Sequence, residues 1–304
     1  MIYDVIIIGS GPAGLSAAIY GQRARLKTLV LEKQPMSGGQ ILNTYEVDNY
    51  PGLPGMGGFE LGMKLRGHAD EMGAEFNESE VEKIESDGEI KVVTTNKGTF
   101  QTKTVIYATG ATHRKLKVPG EEELTGMGVS YCATCDGAFF KNKVTAVVGG
   151  GDVALEDALF LARGCEKVYL IHRRDELRGA KVLQERVFET KNIEIIWNSS
   201  VTAINGKDQV SEIVVHNKET NTDTTMKVDG IFIAVGIVPN SEKAEGVAEL
   251  DKQGYIIAGE DTKTNKAGIF AAGDVRTKQL RQVITAASDG ANAITSVEKY
   301  LYQL

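Results

Sequence analysis

The most constraining feature of this chain is that it carries one supersecondary pattern twice. The first copy opens with YDVIIIG, a near-continuous apolar run of the kind found in strands buried on both faces of a parallel sheet. It leads into GSGPAG, so that Gly9, Gly11 and Gly14 form G-x-G-x-x-G, followed by a helical stretch, LSAAIYGQRARL, and a second strand, KTLVLEK. The three glycines serve different ends: a tight turn, close approach of backbone to a pyrophosphate, and close helix–strand packing. The phosphates then sit on a helix N-terminus, where free N–H groups and the helix dipole favour negative charge. The second copy spans 143–174, with the strand KVTAVVG, then Gly149, Gly151 and Ala154 within GGGDVA, the helix LEDALFLARG and the strand KVYLIHRR. Gly9 to Glu32 and Gly149 to His172 are both 23 positions apart. Unrelated glycine-rich turns have no reason to share both that ruler and a strand–turn–helix–strand context, so two dinucleotide-binding units are expected.

The residue at the end of each ruler says which dinucleotide belongs where. Glu32 can accept a hydrogen bond from a free ribose 2′-OH, as in FAD or NAD, and would repel a phosphate. The second unit has His172, Arg173 and Arg174 there, with Arg178 four residues on. Guanidinium groups match a phosphate bidentately, so this cluster suits the 2′-phosphate of NADPH. Near the C-terminus, TNKAGIFAAGDV gives a short strand ending in Gly273-Asp274, and LRQVITAASDGANAITSVEKYL gives an amphipathic helix. A Gly-Asp at a strand end can hydrogen-bond a ribityl chain, and the following helix can aim its positive end at a flavin, which makes FAD the expected partner of the first unit.

The FAD unit and its C-terminal helper lie at opposite ends of the chain with the NADPH unit between them. The expected fold is therefore α/β, with two Rossmann-like three-layer nucleotide-binding domains, the second inserted in the first. Gly/Pro-rich, acidic crossings at KLKVPGEEE and AVGIVPNSE place the FAD-binding domain at 1–116 and 244–304 and the NADPH-binding domain at 117–243. Alternating apolar and polar residues in 80–110 and again in 199–236 predict antiparallel ribbons. At 304 residues the chain is long enough for two domains. Its net charge of −7 offers no basic footprint for nucleic acid. No apolar run reaches the 18 or so residues of a membrane helix, and the N-terminus has neither the basic segment nor the cleavage site of a signal peptide. A cytoplasmic protein without membrane or nucleic-acid partners is expected.

In SYCATCDGAF, Cys132 and Cys135 form a C-x-x-C. Such a pair can hold metal, staple a secreted fold or carry electrons. One C-x-x-C, with Cys165 and four scattered histidines, supplies no finger-like zinc spacing, so no metal is expected and redox work is favoured. Cys165 reads as a small buried apolar residue.

With these motifs in hand, the sequence closely resembles the bacterial low-molecular-weight thioredoxin reductases over essentially its full length. GSGPAG, GGQ at 38–40, VDNYPG at 47–52, CATCDGAFF, GGGDVA, HRRDELR, AAGDV and LRQVITAA carry the resemblance. It implies electron transfer from NADPH through FAD to a Cys132–Cys135 disulfide and then to oxidised thioredoxin, in a homodimer. Cys135 would receive electrons from the flavin, Cys132 would attack the partner's disulfide, and Asp136 would be the nearby acid or base. The helix-cap alternative for Asp136 stays open. The resemblance also implies FAD contacts from Gly9, Ser10, Gly11, Pro12, Ala13, Gly14, Glu32, Lys33, Gly38, Gly39, Gln40, Asn49, Gly110, Gly273, Asp274, Arg281, Gln282 and Val283. For NADPH it implies Gly149, Gly151, Asp152, Ala154, His172, Arg173, Arg174 and Arg178.

Val153 stands where the family has a hydroxyl residue, at a cost of about 1 kcal/mol in a lost hydrogen bond to NADPH. Rival readings are a ferredoxin-dependent reductase, a peroxiredoxin-type reductase and a redox-sensing flavoprotein. The first would have eroded nicotinamide motifs, whereas HRRDELR is intact here. The second usually carries an extra N-terminal domain before the FAD strand, and the third a partner-binding module. Because the cysteine pair and the NADPH residues share a domain and the flavin belongs to the other, domain rotation at the crossings is expected.

Overall fold

The computed structural model of the chain describes residues 1–304 apart from 45, 46, 48 and 87; Asp48 of VDNYPG thus lies outside the described residues. The chain divides into two compact units, one of Met1–Leu42, Val47–Thr112 and Val238–Leu304, the other built on His113–Ile237. In chain order the first unit runs β1 (Ile2–Ile8), α1 (Pro12–Arg23), β2 (Thr28–Glu32), α2 (Gly58–Glu71), β3 (Glu75–Glu78), β4 (Val81–Glu85), β5 (Lys91–Thr95) and β6 (Gly98–Tyr107), with β7 (Ala111–His113) at the crossing. The second runs β8 (Val129–Ser130), α3 (Ala133–Asp136), β9 (Val144–Val148), α4 (Asp152–Leu161), β10 (Lys167–Ile171), α5 (Lys181–Glu189), β11 (Ile193–Ile196), β12 (Ser199–Gly206), β13 (Val210–Asn217), β14 (Thr222–Lys227) and β15 (Gly230–Ile233). The return crossing carries β16 (Ile237–Pro239), and the first unit closes with β17 (Ile269–Ala271) and α6 (Val283–Leu301).

In the first unit the sheet order is β3-β2-β1-β6-β5-β4, with β17 also on β6. Strands β3, β2, β1, β6 and β17 pair in parallel, and β6-β5-β4 is the antiparallel ribbon that the alternation predicts. The apolar runs are continuous because both faces are covered. Val5 and Ile7 of β1 join Leu15 and Ala18 of α1 and Ile294 and Val297 of α6 on one side. Ile6 and Ile8 join Leu29, Leu31, Val105, Ile256 and Val275 on the other.

The second unit repeats the scheme with the parallel order β11-β10-β9-β15-β8. Val147 and Phe232 pack on α4, through Leu155, Ala158 and Leu159. Ala146, Val148, Ile231 and Ile233 face the antiparallel layer β12-β13-β14, through Val201, Ile204, Ile213 and Val215. The molecule is thus α/β with two Rossmann-like units, the second inserted in the first. Among the described residues no helix is long and apolar enough to cross a membrane.

The divisions fall at 112/113 and 237/238, ahead of the 116/117 and 243/244 read from glycine and proline. The reason at the first crossing is Glu121, a carboxylate only 1% exposed. It accepts the backbone N–H groups of Leu116 (2.9 Å) and Lys117 (2.6 Å), which binds 115–121 into the second unit. At the return crossing, Asn240 anchors 238–243 to the first unit through Nδ2–H to Thr109 O (2.9 Å) and its own N–H to Gly110 O (3.0 Å).

Candidate active site

The residues expected to hold FAD all lie in the first unit, and local geometry gathers most of them. Gly9 (φ +100°) turns the chain out of β1, and a Cβ there would sit 2.5 Å from Ala108 O. Gly14 packs so tightly that a Cβ would lie 1.9 Å from Gly9 O. Gly11 has open space where its Cβ would be, which leaves room for a ligand beside the backbone. Pro12 begins α1, whose N-terminus has no side-chain cap and no acidic residue in its first turn. Its N–H groups are therefore available to phosphate.

Gly38 N–H donates to Ser10 O (2.8 Å), and Gly39 lies against Gly11, so the GGQ turn runs alongside the glycine turn. Gln40 hydrogen-bonds Ala111 O, and Asn49 bonds Gln282 (3.0 Å) at the head of α6. Gln282 and Thr285 form a capping box that leads into Val283. Gly273 (φ +80°) approaches Ala13 of α1, to which a Cβ would come within 2.9 Å. Lys33 is exposed beyond the end of β2, and Gly110 (φ +68°) turns the chain out of the sheet.

Glu32 is held by three donors: Ser10 N–H and Ser10 Oγ–H at 2.8 Å each, and Gln34 N–H at 2.9 Å. A carboxylate has about four acceptor positions, so capacity remains for a ribose hydroxyl. Asp274 Oδ1 and Arg281 Nε are buried without a hydrogen-bond partner, and the Arg281 guanidinium lies 4.1 Å over the Tyr255 ring. Burial pushes the Asp274 carboxyl up, against the pull of Lys278 and Arg281. Buried polar atoms normally find partners, and a polar cofactor beside Gly273–Asp274 would supply them. The residues fit FAD.

The second cradle repeats the first. Gly149 (φ +155°) has Ala234 O 2.5 Å and the Ala154 Cβ 2.6 Å from its would-be Cβ, whereas Gly151 is open. The N-terminus of α4 has no side-chain cap, and Asp152 accepts Ala180 N–H (2.7 Å). Arg178 N–H (2.7 Å) and Gly179 N–H (3.2 Å) both donate to Gly150 O, pinning the basic loop to the glycine turn. Arg173, Arg174 and Arg178 are exposed.

His172 differs from these arginines. It is 4% exposed, its ring fills the space beneath Gly150, where a Cβ would lie 2.3 Å from the imidazole, and its Nε2 has no partner. Burial and then the charges of Arg178 and Arg173 lower its pKa, which keeps the ring neutral. The three exposed guanidinium groups could meet a 2′-phosphate beside this glycine turn, so the residues fit NADPH. Val153 is exposed at this turn.

Cys132 and Cys135 are joined as a disulfide with Cα atoms 5.3 Å apart. Cys132 is the N-cap of the one-turn helix α3, and Asp136 ends it. Ala133 is fully buried against α4, and a Cβ on Gly137 would lie 3.0 Å from Leu161 and Phe160. Asp136 Oδ2 accepts the Ser130 hydroxyl at 2.5 Å, while Oδ1 is buried with no partner. Burial raises the Asp136 pKa, and the Ser130 bond opposes it. Tyr131, beside Cys132, donates its hydroxyl to Glu121 (2.8 Å) and stacks on His113 at 5.2 Å. Cys165 is buried and free. Among the described residues no group of three or more His, Cys, Asp or Glu side chains is arranged to hold a metal ion.

Sequence reasoning passed over Ser130, Glu121, and a buried ion cluster under the Gly273 turn. In that cluster Asp289 receives Arg276 through two bonds (2.8 and 2.7 Å), Lys278 (2.9 Å) and Gly273 N–H (2.8 Å). The legible signal was an aspartate amid the small residues AASDGANA, on a helix face too apolar for a charge without a partner.

Residues 3–290 match the family model of the pyridine nucleotide-disulphide oxidoreductases. The chain is 46% identical over 304 residues to a thioredoxin reductase of Listeria innocua, covering 100% of this chain and 95% of that protein. It is 44% identical over 306 residues to one of Bacillus subtilis, covering 100% and 96%. A crystal structure of thioredoxin reductase from Streptococcus pyogenes matches with a TM-score of 0.95 and 44% identity, covering 100% of this chain and 99% of that one. The chain belongs to the pyridine nucleotide-disulphide oxidoreductase family. It is an NADPH-dependent flavoprotein oxidoreductase whose cofactors are FAD and NADPH.

Proposed function

We propose that this chain is a thioredoxin-disulfide reductase that passes electrons from NADPH through FAD to the Cys132–Cys135 disulfide and then to oxidised thioredoxin. The observation that carries the reading is the disulfide at the start of α3, beside a buried carboxyl and in the same unit as the cation-tipped cradle. The full-length relatives, which are thioredoxin reductases, support thioredoxin as the acceptor. When bound, NADPH would supply a hydride and FAD a two-electron relay to the disulfide.

This chain's own residues bind, orient and move protons. Glu32 takes the adenosine ribose of FAD, the α1 N-terminus its pyrophosphate, and Asp274 its ribityl chain. Arg173, Arg174 and Arg178 take the 2′-phosphate of NADPH, over a glycine turn seated on the neutral ring of His172. Reduction of the pair yields two thiols. Only a thiolate attacks a disulfide, and a helix start favours one, so Cys132 at the N-cap of α3 is the attacking sulfur. Cys135 then resolves the mixed disulfide, and Asp136 gives a proton to the departing thiolate.

The sulfurs and the NADPH residues belong to one unit and the flavin residues to the other, so turnover includes domain rotation about the crossings. A cytoplasmic homodimer completes the proposal. The test is NADPH consumption with oxidised thioredoxin. Wild type is expected to turn over repeatedly, while Cys132→Ser and Cys135→Ser bind FAD and stall. Multiple turnovers in either variant would overturn the assignment.

A further inference from the structure

Within that reading, and resting on its assignment of Asp136 as the acid, we propose that Ser130 is the positioning residue that fixes which carboxyl oxygen of Asp136 carries the proton.

Ser130 lies at the end of β8, is 6% exposed, and stands two residues before Cys132. A hydroxyl has one hydrogen and two lone pairs. Its oxygen lies 2.5 Å from Asp136 Oδ2 and 3.4 Å from Cys132 O, so the hydrogen goes to the carboxylate, where the bond is short and charge-assisted. A lone pair receives the Cys132 N–H at 3.1 Å. One hydroxyl therefore ties the N-cap of α3 to the carboxyl at its other end.

With Oδ2 occupied as an acceptor, an added proton goes to Oδ1, the oxygen that is buried and without a partner. In the exchange step the Oδ1–H bond breaks, the proton passes to the departing thiolate, and a thiol and a carboxylate result. Ser130 then holds the carboxylate for reprotonation. The elements packed most closely on α3 are the 137–140 turn, which has no titratable side chain, and α4, which carries Asp152, Glu156 and Asp157. None of these three contributes to the Asp136 shift, whose causes are burial and the Ser130 hydrogen bond.

The two effects of removing the hydroxyl oppose each other, which separates a positioning role from a structural one. Ser130→Ala frees the carboxyl to rotate, so the pH-independent rate of exchange falls, by about tenfold for one lost charge-assisted bond. The same loss favours the protonated form, so the alkaline limb of the rate profile moves to higher pH, by about one unit. The experiment is stopped-flow reoxidation of the NADPH-reduced holoenzyme by oxidised bacterial thioredoxin across pH, with NADP⁺ affinity and Trp197 fluorescence confirming the folded second unit.

The expected result is a lower plateau and a raised limb in Ser130→Ala, the wild-type limb regained in Ser130→Thr, and no limb in Asp136→Asn. A lower plateau with an unmoved limb in Ser130→Ala overturns the proposal while leaving Asp136 as the acid. A wild-type limb in Asp136→Asn overturns the underlying reading instead. A measurement on wild type alone, independent of whether Ser130→Ala folds, is infrared difference spectroscopy against Asp136→Asn. The protonated carboxyl is expected to show a hydrogen-bonded C=O, and a free C=O band would refute the proposal.

Discussion

Replacing Asp289 with asparagine removes one charge and little else. The amide keeps the shape and an acceptor for Gly273 N–H, but two cations lose their carboxylate. Arg276 is 3% exposed and the Lys278 side chain 6%. Removing one partner of a buried pair costs about 3–5 kcal/mol. Here the lower end applies, because Arg276 keeps the carbonyls of Ala258 (3.2 Å) and Thr277 (2.9 Å) and the Glu260 carboxylate at 3.9 Å. For a unit of this size, about 3 kcal/mol corresponds to a Tm lower by about 6–12 °C.

The first unit is followed by flavin release and the second by Trp197, the protein's single tryptophan, so that the two transitions are read separately. The loss is expected in the flavin signal. Its pH dependence is fixed in sign. Burial opposes ionisation of Asp289, but the bonds from Arg276 and Lys278 outweigh it and hold the carboxyl below its ordinary value. Its contribution is therefore complete above about pH 4, the unfolded value, and fades as pH falls through the lower folded one. The gap between wild type and Asp289→Asn should narrow in acid. A flavin-release Tm changed by less than about 2 °C at neutral pH would refute the reasoning.

Three further outcomes are expected. Arg174→Gln and Arg178→Gln each raise the KM for NADPH by about tenfold, the low end for an exposed charge-assisted bond, and leave NADH kinetics unchanged; equal effects on both nucleotides would remove the 2′-phosphate role. Gly290→Ala drives a Cβ to 2.2 Å from Ala13 O, forcing α6 away from α1; stability falls by about 1–3 kcal/mol and FAD is expected to dissociate faster, both readable by flavin fluorescence. After NADPH reduction, a thiol reagent labels Cys132 and Cys135 rapidly and Cys165 slowly, since burial excludes the reagent and raises that thiol's pKa; mass spectrometry of the labelled peptides decides.

The architecture was legible because both Rossmann units announce themselves in local chemistry: a buried strand, a glycine turn whose φ values and close contacts only glycine meets, and a helix to receive the anion. The antiparallel ribbons were legible through alternation for the same local reason. What escaped was chemistry made by tertiary approach. Glu121 reads as one of three acidic residues in a linker, and only the folded chain shows its carboxylate capping Leu116 and Lys117 and shifting the first boundary. His172 reads as part of a basic run, yet directly after β10 it is buried under Gly150 while its arginine neighbours stay exposed. Ser130 and Asp289 are polar residues whose side chains meet partners six and eleven to sixteen positions away, in elements whose register sequence spacing does not encode.

The central claim is that electrons reach one pair of sulfurs through a flavin and leave to thioredoxin. Anaerobic titration of the purified yellow protein with NADPH, beside NADH, tests it most directly, followed by addition of oxidised thioredoxin. Rapid bleaching by NADPH alone, with colour restored by thioredoxin in wild type and not in Cys132→Ser, is the predicted result. Slow bleaching by both nucleotides, or colour restored by thioredoxin without Cys132, would contradict it.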